Sequence, residues 1–441
     1  MSPEFITIFM FVTMMVLLMT GQMVFGVIGF VGTAAALWLW GEGAFEMPFN
    51  ASFQVLNWYP LITVPFFIFM GYMLSESGVA GHLYRMFHVW FGPVRGGLAL
   101  GTVGLMVVIA ALNGLSVAGM AIGATIALPE LLRRGYDKVM VTGVIQGGSS
   151  LGILIPPSVV LVLYAMIARQ PVLQLWLAGI FPGLLMAAIF AFYIWLRCLL
   201  QPEIGPALAK EERDKISWSE RFSLLRAGLL PLAIFAIMMG LFMTGVTSLV
   251  ESSAVGALLA GLVALYEGRL SLKVVEDSTR NTLAISCMFL WIILAALCFS
   301  SVYDGLGAVR AIENLLLERW DLDPWTILIV MLASFIVMGT FLDDTAMLVI
   351  VAPLYIPLVG SLGFDLIWFG ILYTITCQIA YITPPFGYNL FLMRAMAPPE
   401  ITLIDIYRSI IPFFFMMVLT ILLLMIFPQI ALYLPELYSG R

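Results

Sequence analysis

The chain has 441 residues, 62% of them hydrophobic and only 10% charged, with a mean hydropathy of +1.06 and a formal net charge of −6. A soluble domain is nearer half apolar and a quarter charged, so this composition excludes a water-soluble fold. Apolar stretches of the roughly 17–25 residues that carry a helix across the bilayer core recur, whereas the alternating pattern of a membrane barrel does not, and the expected class is an all-α polytopic membrane protein.

From the N-terminus, spans are read at 4–20, 22–40 and 57–76. The opening Met1-Ser2-Pro3-Glu4 carries no basic leader and a second apolar span follows Gly21, so the first segment is expected to stay as a helix rather than be cleaved as a signal peptide. His82, Arg85 and His88 fall in a predicted solvated loop. Residues 97–133 begin after Arg95 and end at Arg133-Arg134, so both ends need the basic side. The break at Asn113-Gly114-Leu115-Ser116 then predicts a re-entrant helical hairpin with its tip inside the membrane. Residues 138–168 read as a helix broken between Gln146 and Pro157, where glycines loosen the backbone and Pro156-Pro157 lack N–H groups. A span at 172–198 closes this part of the chain.

Residues 201–226, charged from Glu203 to Arg226 and opened by Pro202 and Pro206, read as a cytoplasmic linker. Beyond it come spans at 227–248, 250–266 and 284–303, with a short amphipathic interfacial arm expected at 267–281. Glu251 opens one of these spans and reads as a scaffold or interface group. A second re-entrant hairpin is expected at 325–362, broken between Gly339 and Thr345, and a second broken helix at 366–396, interrupted at Thr383-Pro384-Pro385. A last span is read at 405–428. Cys198, Cys287, Cys298 and Cys377 have no metal-binding spacing and read as packing residues.

A constant offset relates the two parts. Pro129 and Pro357, Gly135 and Gly363, Asp137 and Asp365, and Pro156-Pro157 and Pro384-Pro385 are each 228 residues apart. Entered from opposite sides, 1–200 and 227–441 are expected to be inverted repeats, the organisation of many secondary transporters. The Lys and Arg clusters at 85–95, 133–138, 197–226, 269–280 and 394–408 belong inside by the positive-inside rule, leaving Arg169, Arg310, Arg319 and Arg441 outside. Position 210 is then cytoplasmic, position 318 periplasmic, and both termini periplasmic at an inner membrane.

Backbone released at membrane depth is tolerated where it lines a cavity or binds an ion, so the breaks and tips are the candidate sites. Carbonyl, hydroxyl and carboxylate oxygens suit a hard cation such as Na⁺. One site is expected from Asn113 and Ser116 with carbonyls of Gly152, Ile153 and Pro156; a second from Asp344 and Thr345 with carbonyls around Ala380, Tyr381 and Pro384. A carboxylate at membrane depth costs at least about 2.5 kcal/mol, and a cation site accounts for that cost at Asp343 and Asp344. Helix ends at the midplane also offer N–H groups to an anion. Asn113, Ser149, Ser150, Asp343, Thr383 and Arg394 are the candidate substrate contacts, with interface anchoring as the other reading of Arg394.

Gly-Ile-Leu-Ile-Pro-Pro-Ser at 152–158, Pro-Glu-Leu-Leu-Arg-Arg-Gly-Tyr-Asp at 129–137 and Ile-Thr-Pro-Pro-Phe-Gly-Tyr-Asn-Leu-Phe at 382–391 resemble the large, DctM-type membrane subunit of tripartite ATP-independent periplasmic (TRAP) transporters. The resemblance runs over nearly the whole chain. It implies an elevator-type transporter, Na⁺ coupling, a small four-helix membrane subunit of DctQ type, a periplasmic substrate-binding protein of DctP type, and a small organic anion, either a carboxylate or a sulfonate such as isethionate. It also implies the same first cation site on Asn113, Ser116, Gly152, Ile153 and Pro156, and a second tip at Asp343 to Thr345. One departure is Ser248-Leu249-Val250-Glu251-Ser252-Ser253, where the family more often has Thr-Pro-Thr-Glu-Ala-Ala. No catalytic residue, organic cofactor or nucleic-acid partner is expected, because no HExxH motif and no intramembrane histidine is present to bind a metal or activate a nucleophile. An anion channel or another, non-TRAP ion-coupled elevator transporter is the competing reading, the channel being disfavoured because inverted repeats around a midplane site suit alternating access.

Overall fold

The computed structural model describes residues 2–114, 116–208, 217–314, 322–342, 344–385 and 387–440. Among them the regular structure is helical. The first part builds α1 (Pro3–Met19), α2 (Val24–Ala35), α3 (Glu46–Leu56), α4 (Thr63–Glu76), α5 (Val79–Phe91), α6 (Gly97–Asn113), α7 (Ser116–Ile122), α8 (Leu128–Arg133), α9 (Lys138–Ser150), α10 (Val159–Ala168) and α11 (Val172–Leu200). The second builds α12 (Trp218–Met243), α13 (Leu249–Tyr266), α14 (Leu272–Gly305), α15 (Ala308–Glu313), α16 (Pro324–Gly339), α17 (Asp344–Ser361), α18 (Leu366–Tyr381), α19 (Tyr388–Met396), α20 (Leu403–Ile426) and α21 (Gln429–Ser439). Six of the described helices are long and apolar enough to cross a membrane, and the chain is a multi-pass membrane protein.

Local chemistry sets the boundaries that matter for the site. α8 and α17 are followed by Gly135 and Gly363, whose φ values of 78° and 81° are open to glycine, and the next turns are closed by Tyr136 N donating to Leu131 O and Phe364 N to Val359 O. Two residues on, Asp137 accepts from Met140 N at 2.9 Å, and Asp365 from Ile367 N and Trp368 N at 2.8 Å each, so a capping carboxylate starts α9 and α18 at the same relative position. Glu251 has an equally local role: it and Ser248 form a capping box at the start of α13, Ser248 N donating to Glu251 Oε2 at 2.7 Å.

Helices 228 residues apart have related neighbours. α9 packs on α20 while α18 packs on α11; α10 packs on α17 while α19 packs on α7; α2 packs on α14 while α13 packs on α4. Each half therefore buries its broken helix against the long helix of the other half. Gln378 Nε2 donates to Ser150 O at 2.9 Å across a separation of 228 residues, so two positions with the same place in each half touch directly.

The basic clusters meet at one end. Gly96 N donates to Gly205 O at 2.9 Å, Asp137 N to Ile204 O at 3.0 Å, and Trp90 Nε1 to Arg221 O at 3.3 Å. Lys138 Nζ pairs with Asp405 at 2.7 Å, and His82 Nδ1 lies 3.7 Å from Glu267. At other contacts, Tyr438 reaches Met243 O at 3.1 Å and Gln174 reaches Ser439 at 3.1 Å, joining the C-terminal helix to the far ends of α11 and α12.

Two expectations are corrected. The arm at 267–281 is not separate: from Leu272 onward it is the first part of α14, one 34-residue helix capped by Ser271. At 1.5 Å per residue this helix is about 51 Å long, beyond the ~30 Å apolar layer, so its polar first turns need no break to leave the hydrocarbon. His82, Arg85 and His88 lie on α5, not in a loop, because Leu83, Tyr84 and Met86 bury one face of that helix. Positions 210 and 318, used to read the orientation, lie outside the described residues.

Candidate functional site

The helix pairs α6–α7 and α16–α17 are each interrupted by a short non-helical stretch, and each interruption lies against a broken helix. At the first turn Gly114 adopts φ 62°, and a Cβ there would meet the carbonyl oxygen of Pro157. Gly119, one turn into α7, leaves room for Ser149, whose Cα would stand 3.3 Å from an added Cβ. Two glycines thus let the first tip lie directly on the first break. α9 ends at Ser150, a short tight turn covers Leu151–Ile153, and α10 restarts at Val159 with Ser158 as its cap, accepting from Leu161 N at 3.2 Å. Gly152, Ile153 and Pro156 are all buried in this interruption, and the Pro156–Pro157 bond is cis. The Ser158 hydroxyl donates to Ile153 O, so one of that carbonyl's lone pairs is already used.

Ser116 is the first residue of α7 and retains 2% of its exposure. Its hydroxyl donates to Asn389 Oδ1 at 3.3 Å and accepts from Asn389 Nδ2 at 3.1 Å. Asn389 Nδ2 also lies 3.4 Å from Ser149 Oγ. Ser150 is buried, its hydroxyl donating to Gly147 O at 2.7 Å. Asn113 ends α6.

The second tip is built differently. Asp344 starts α17 and is 5% exposed. Its Oδ1 accepts from Thr345 N at 2.8 Å and lies 3.4 Å from Thr345 Oγ1, and the Tyr381 side chain bonds the same carboxylate. Tyr373 OH donates to the backbone carbonyl of Asp344 at 2.7 Å and fixes this first turn. Asp343 and Phe386 lie outside the described residues.

A cavity of about 740 Å³ joins the two tips. Ser116 and Ile153 reach it from the first half, and Thr340, Asp344, Thr345 and Tyr381 from the second; the rest of its wall is largely apolar. A mostly apolar space with a few converging polar groups is the usual form of a small-molecule site.

Not every expected residue belongs to it. Ala380 O accepts from Thr383 N at 3.1 Å, Pro384 is exposed, and Tyr381 meets Asp344 through its side chain rather than its carbonyl. Thr383 is half-buried and its hydroxyl donates to Ile379 O at 2.6 Å. Arg394 does not line this cavity: it is exposed at the end of α19 and donates to Ile401 O at 3.0 Å, tying down the loop before α20. Ser149 and Ser150 stand behind the cavity wall rather than on it. Sequence reasoning passed over Asn389, Tyr373 and the Tyr381 hydroxyl. The available signal for Asn389 was one carboxamide inside the otherwise apolar run Tyr388-Asn389-Leu390-Phe391. Gln146 Oε1 and Gln378 Oε1, one in each broken helix, are buried acceptors without a hydrogen-bond partner.

The family model described as the DctM component of the tripartite ATP-independent periplasmic transporter matches residues 11–430. The chain is 31% identical over 391 residues to the C4-dicarboxylate TRAP transporter large permease protein DctM of Pseudomonas aeruginosa, a match covering 87% of this chain and 88% of that protein. It is 30% identical over 389 residues to the ectoine TRAP transporter large permease protein TeaC of Halomonas elongata, covering 86% of each. The solved YdaH transporter of Alcanivorax borkumensis has a similar fold, with a TM-score of 0.60 at 16% identity over 90% of this chain and 89% of that one. With a match running almost from end to end, the chain belongs to the DctM-component family of TRAP transporters, a family of transporter permeases and not of enzymes.

Proposed function

We propose that this chain is the sodium-coupled transport subunit for a small organic anion, working by an elevator movement across the bacterial inner membrane. The observation that carries the reading is the cavity shared by Ser116 of the first tip and Asp344, Thr345 and Tyr381 of the second. In this reading the α6–α7 and α16–α17 pairs are re-entrant hairpins of two inverted repeats, 1–200 and 227–441, joined by the linker 201–226. The exchanged packing of helices 228 residues apart supports it. The donor set fits a hard cation: hydroxyl, carboxylate and released carbonyl oxygens, without thiol or imidazole. One Na⁺ would be held by Ser116, with Asn113 and the backbone of Gly152, Ile153 and Pro156; another by Asp344 and Thr345, with the Tyr381 hydroxyl in place of the carbonyls of Ala380, Tyr381 and Pro384. The bound cations would supply the positive charge that draws an anion into an apolar cavity.

The basic end, where the linker meets Trp90, Gly96 and Asp137, is cytoplasmic in this reading, and both termini are periplasmic. A small membrane subunit and a periplasmic binding protein complete the transporter, as the tripartite family description requires. Two relatives are named for C4-dicarboxylates and for ectoine, and a carboxylate is the substrate class that follows. Thermal-shift screening of the cognate binding protein against carboxylates and sulfonates identifies the anion. Its uptake is then measured in proteoliposomes holding the complete transporter. Accumulation driven by an inward Na⁺ gradient is expected; equal accumulation with K⁺ in place of Na⁺ removes sodium coupling.

A further inference from the structure

Asn389 is wholly buried on α19, in the second half of the chain, yet its side chain bonds groups of the first half. Both ends of the carboxamide are within reach of the Ser116 hydroxyl, Oδ1 at 3.3 Å and Nδ2 at 3.1 Å, and Nδ2 is 3.4 Å from Ser149 Oγ. Ser149 donates its own proton to Gln146 O at 2.9 Å, so towards Asn389 it acts as an acceptor and holds the NH₂ end of the amide. Nδ2 carries two N–H groups and reaches both serines, so Oδ1 is the group of this amide that can accept the Ser116 proton.

A hydroxyl that coordinates a cation does so through an oxygen lone pair, and its proton must then be received by another group. We propose that Asn389 is the positioning residue of the first cation site, its Oδ1 taking the Ser116 proton so that the Ser116 lone pair faces the cation. The inference rests on the reading of Ser116 as a Na⁺ ligand. It also accounts for an asymmetry between the halves. The position equivalent to Asn389 is Leu161, and the residue equivalent to Ser116 is Asp344, which as a carboxylate ligand would have no proton to place. The second site therefore needs no such partner. Because the acceptor comes from the helix after the second break, occupancy of the first site also holds the two halves together at this point.

The test uses Na⁺ alone as the probe, with K⁺ as control, reading the Na⁺-dependent rise in unfolding temperature of the purified full-length protein and the Na⁺ concentration giving half the rise. Asn389→Leu removes the acceptor at similar volume and should raise that concentration roughly 10–100-fold, the usual cost of losing an outer-shell orienting group. Its unfolding temperature without Na⁺ is the baseline from which its Na⁺-dependent rise is read. Asn389→Asp keeps an acceptor and should hold the Na⁺ requirement at or below the parent value. An unchanged requirement in Asn389→Leu, or a raised one in Asn389→Asp, overturns the proposal. Should Asn389→Leu not assemble, the Asn389→Asp result decides alone by the same criterion. Ser116→Ala separates the two levels: an unchanged Na⁺ requirement there removes Ser116 as a ligand, whereas a raised one beside an unaffected Asn389→Leu removes only the role of Asn389.

Discussion

At the first tip the helix after the turn opens with Ser116; 228 residues later the equivalent helix opens with Asp344. The surroundings differ as much as the residues. Thr345, Tyr373 and Tyr381 supply hydroxyls around Asp344, and the equivalent positions in the first half are Val117, Ile145 and Ile153. Ser116 instead draws on Asn389, whose own equivalent is Leu161. One backbone plan thus carries a carboxylate tip completed within its own half and a hydroxyl tip completed by the other half. A carboxylate inside a membrane protein is costly without donors or a cation, and its partners are gathered around it from its own half. A hydroxyl carries a smaller penalty and can depend on one distant amide.

The largest effect that would sharpen this contrast is expected at the carboxylate tip. Asp344→Asn removes the formal charge while keeping the shape, and Na⁺-driven uptake should fall to background, with Na⁺ affinity lowered by more than the roughly 10–100-fold of an outer-shell change. Uptake with parental Na⁺ dependence would remove Asp344 as a cation ligand. Ser116→Ala should have the same sign but a smaller size, raising the Na⁺ needed for half-maximal uptake about tenfold, because a neutral ligand contributes less than a charged one. If its effect exceeds that of Asp344→Asn, the ranking of the tips is reversed.

The turns themselves also differ. Gly114 has φ 62° and faces Pro157 O, whereas its equivalent is Leu342, a buried side chain. Gly114→Ala should lower stability by about 1–3 kcal/mol, the cost of a left-handed non-glycine residue, read as a drop in the unfolding temperature. A drop of less than about 1 kcal/mol would show that the first turn does not need its glycine. The smallest effect is expected at Arg394, exposed and bound to Ile401 O. Arg394→Ala should leave Na⁺ and anion dependence within about twofold, as surface substitutions do. A selective loss of anion affinity would return this residue to the substrate site.

The spans, the two breaks and the 228-residue offset were legible in the sequence because their causes are local. Hydropathy marks a helix that meets lipid, Pro156-Pro157 and Pro384-Pro385 withhold backbone donors, and Asp137 and Asp365 cap whatever helix follows. α5 escaped notice because its charged face dominates a short segment whose buried face only exists once α6 and α12 pack on it. Ser116, Asp344 and Thr345 were found as polar groups at tips, where residue type alone is informative.

What the sequence by itself determined is the chain's class, its helices, the positions where they break, and the residue types available to bind an ion. Only the tertiary structure decided which of these meet. Ser116 and Asn389 are 273 residues apart and touch because the halves exchange their helices, and Arg394 falls outside the cavity because the turn beyond α19 carries it towards Ile401. Pairing of that kind follows from how packed surfaces close over hundreds of residues, and no local propensity encodes it.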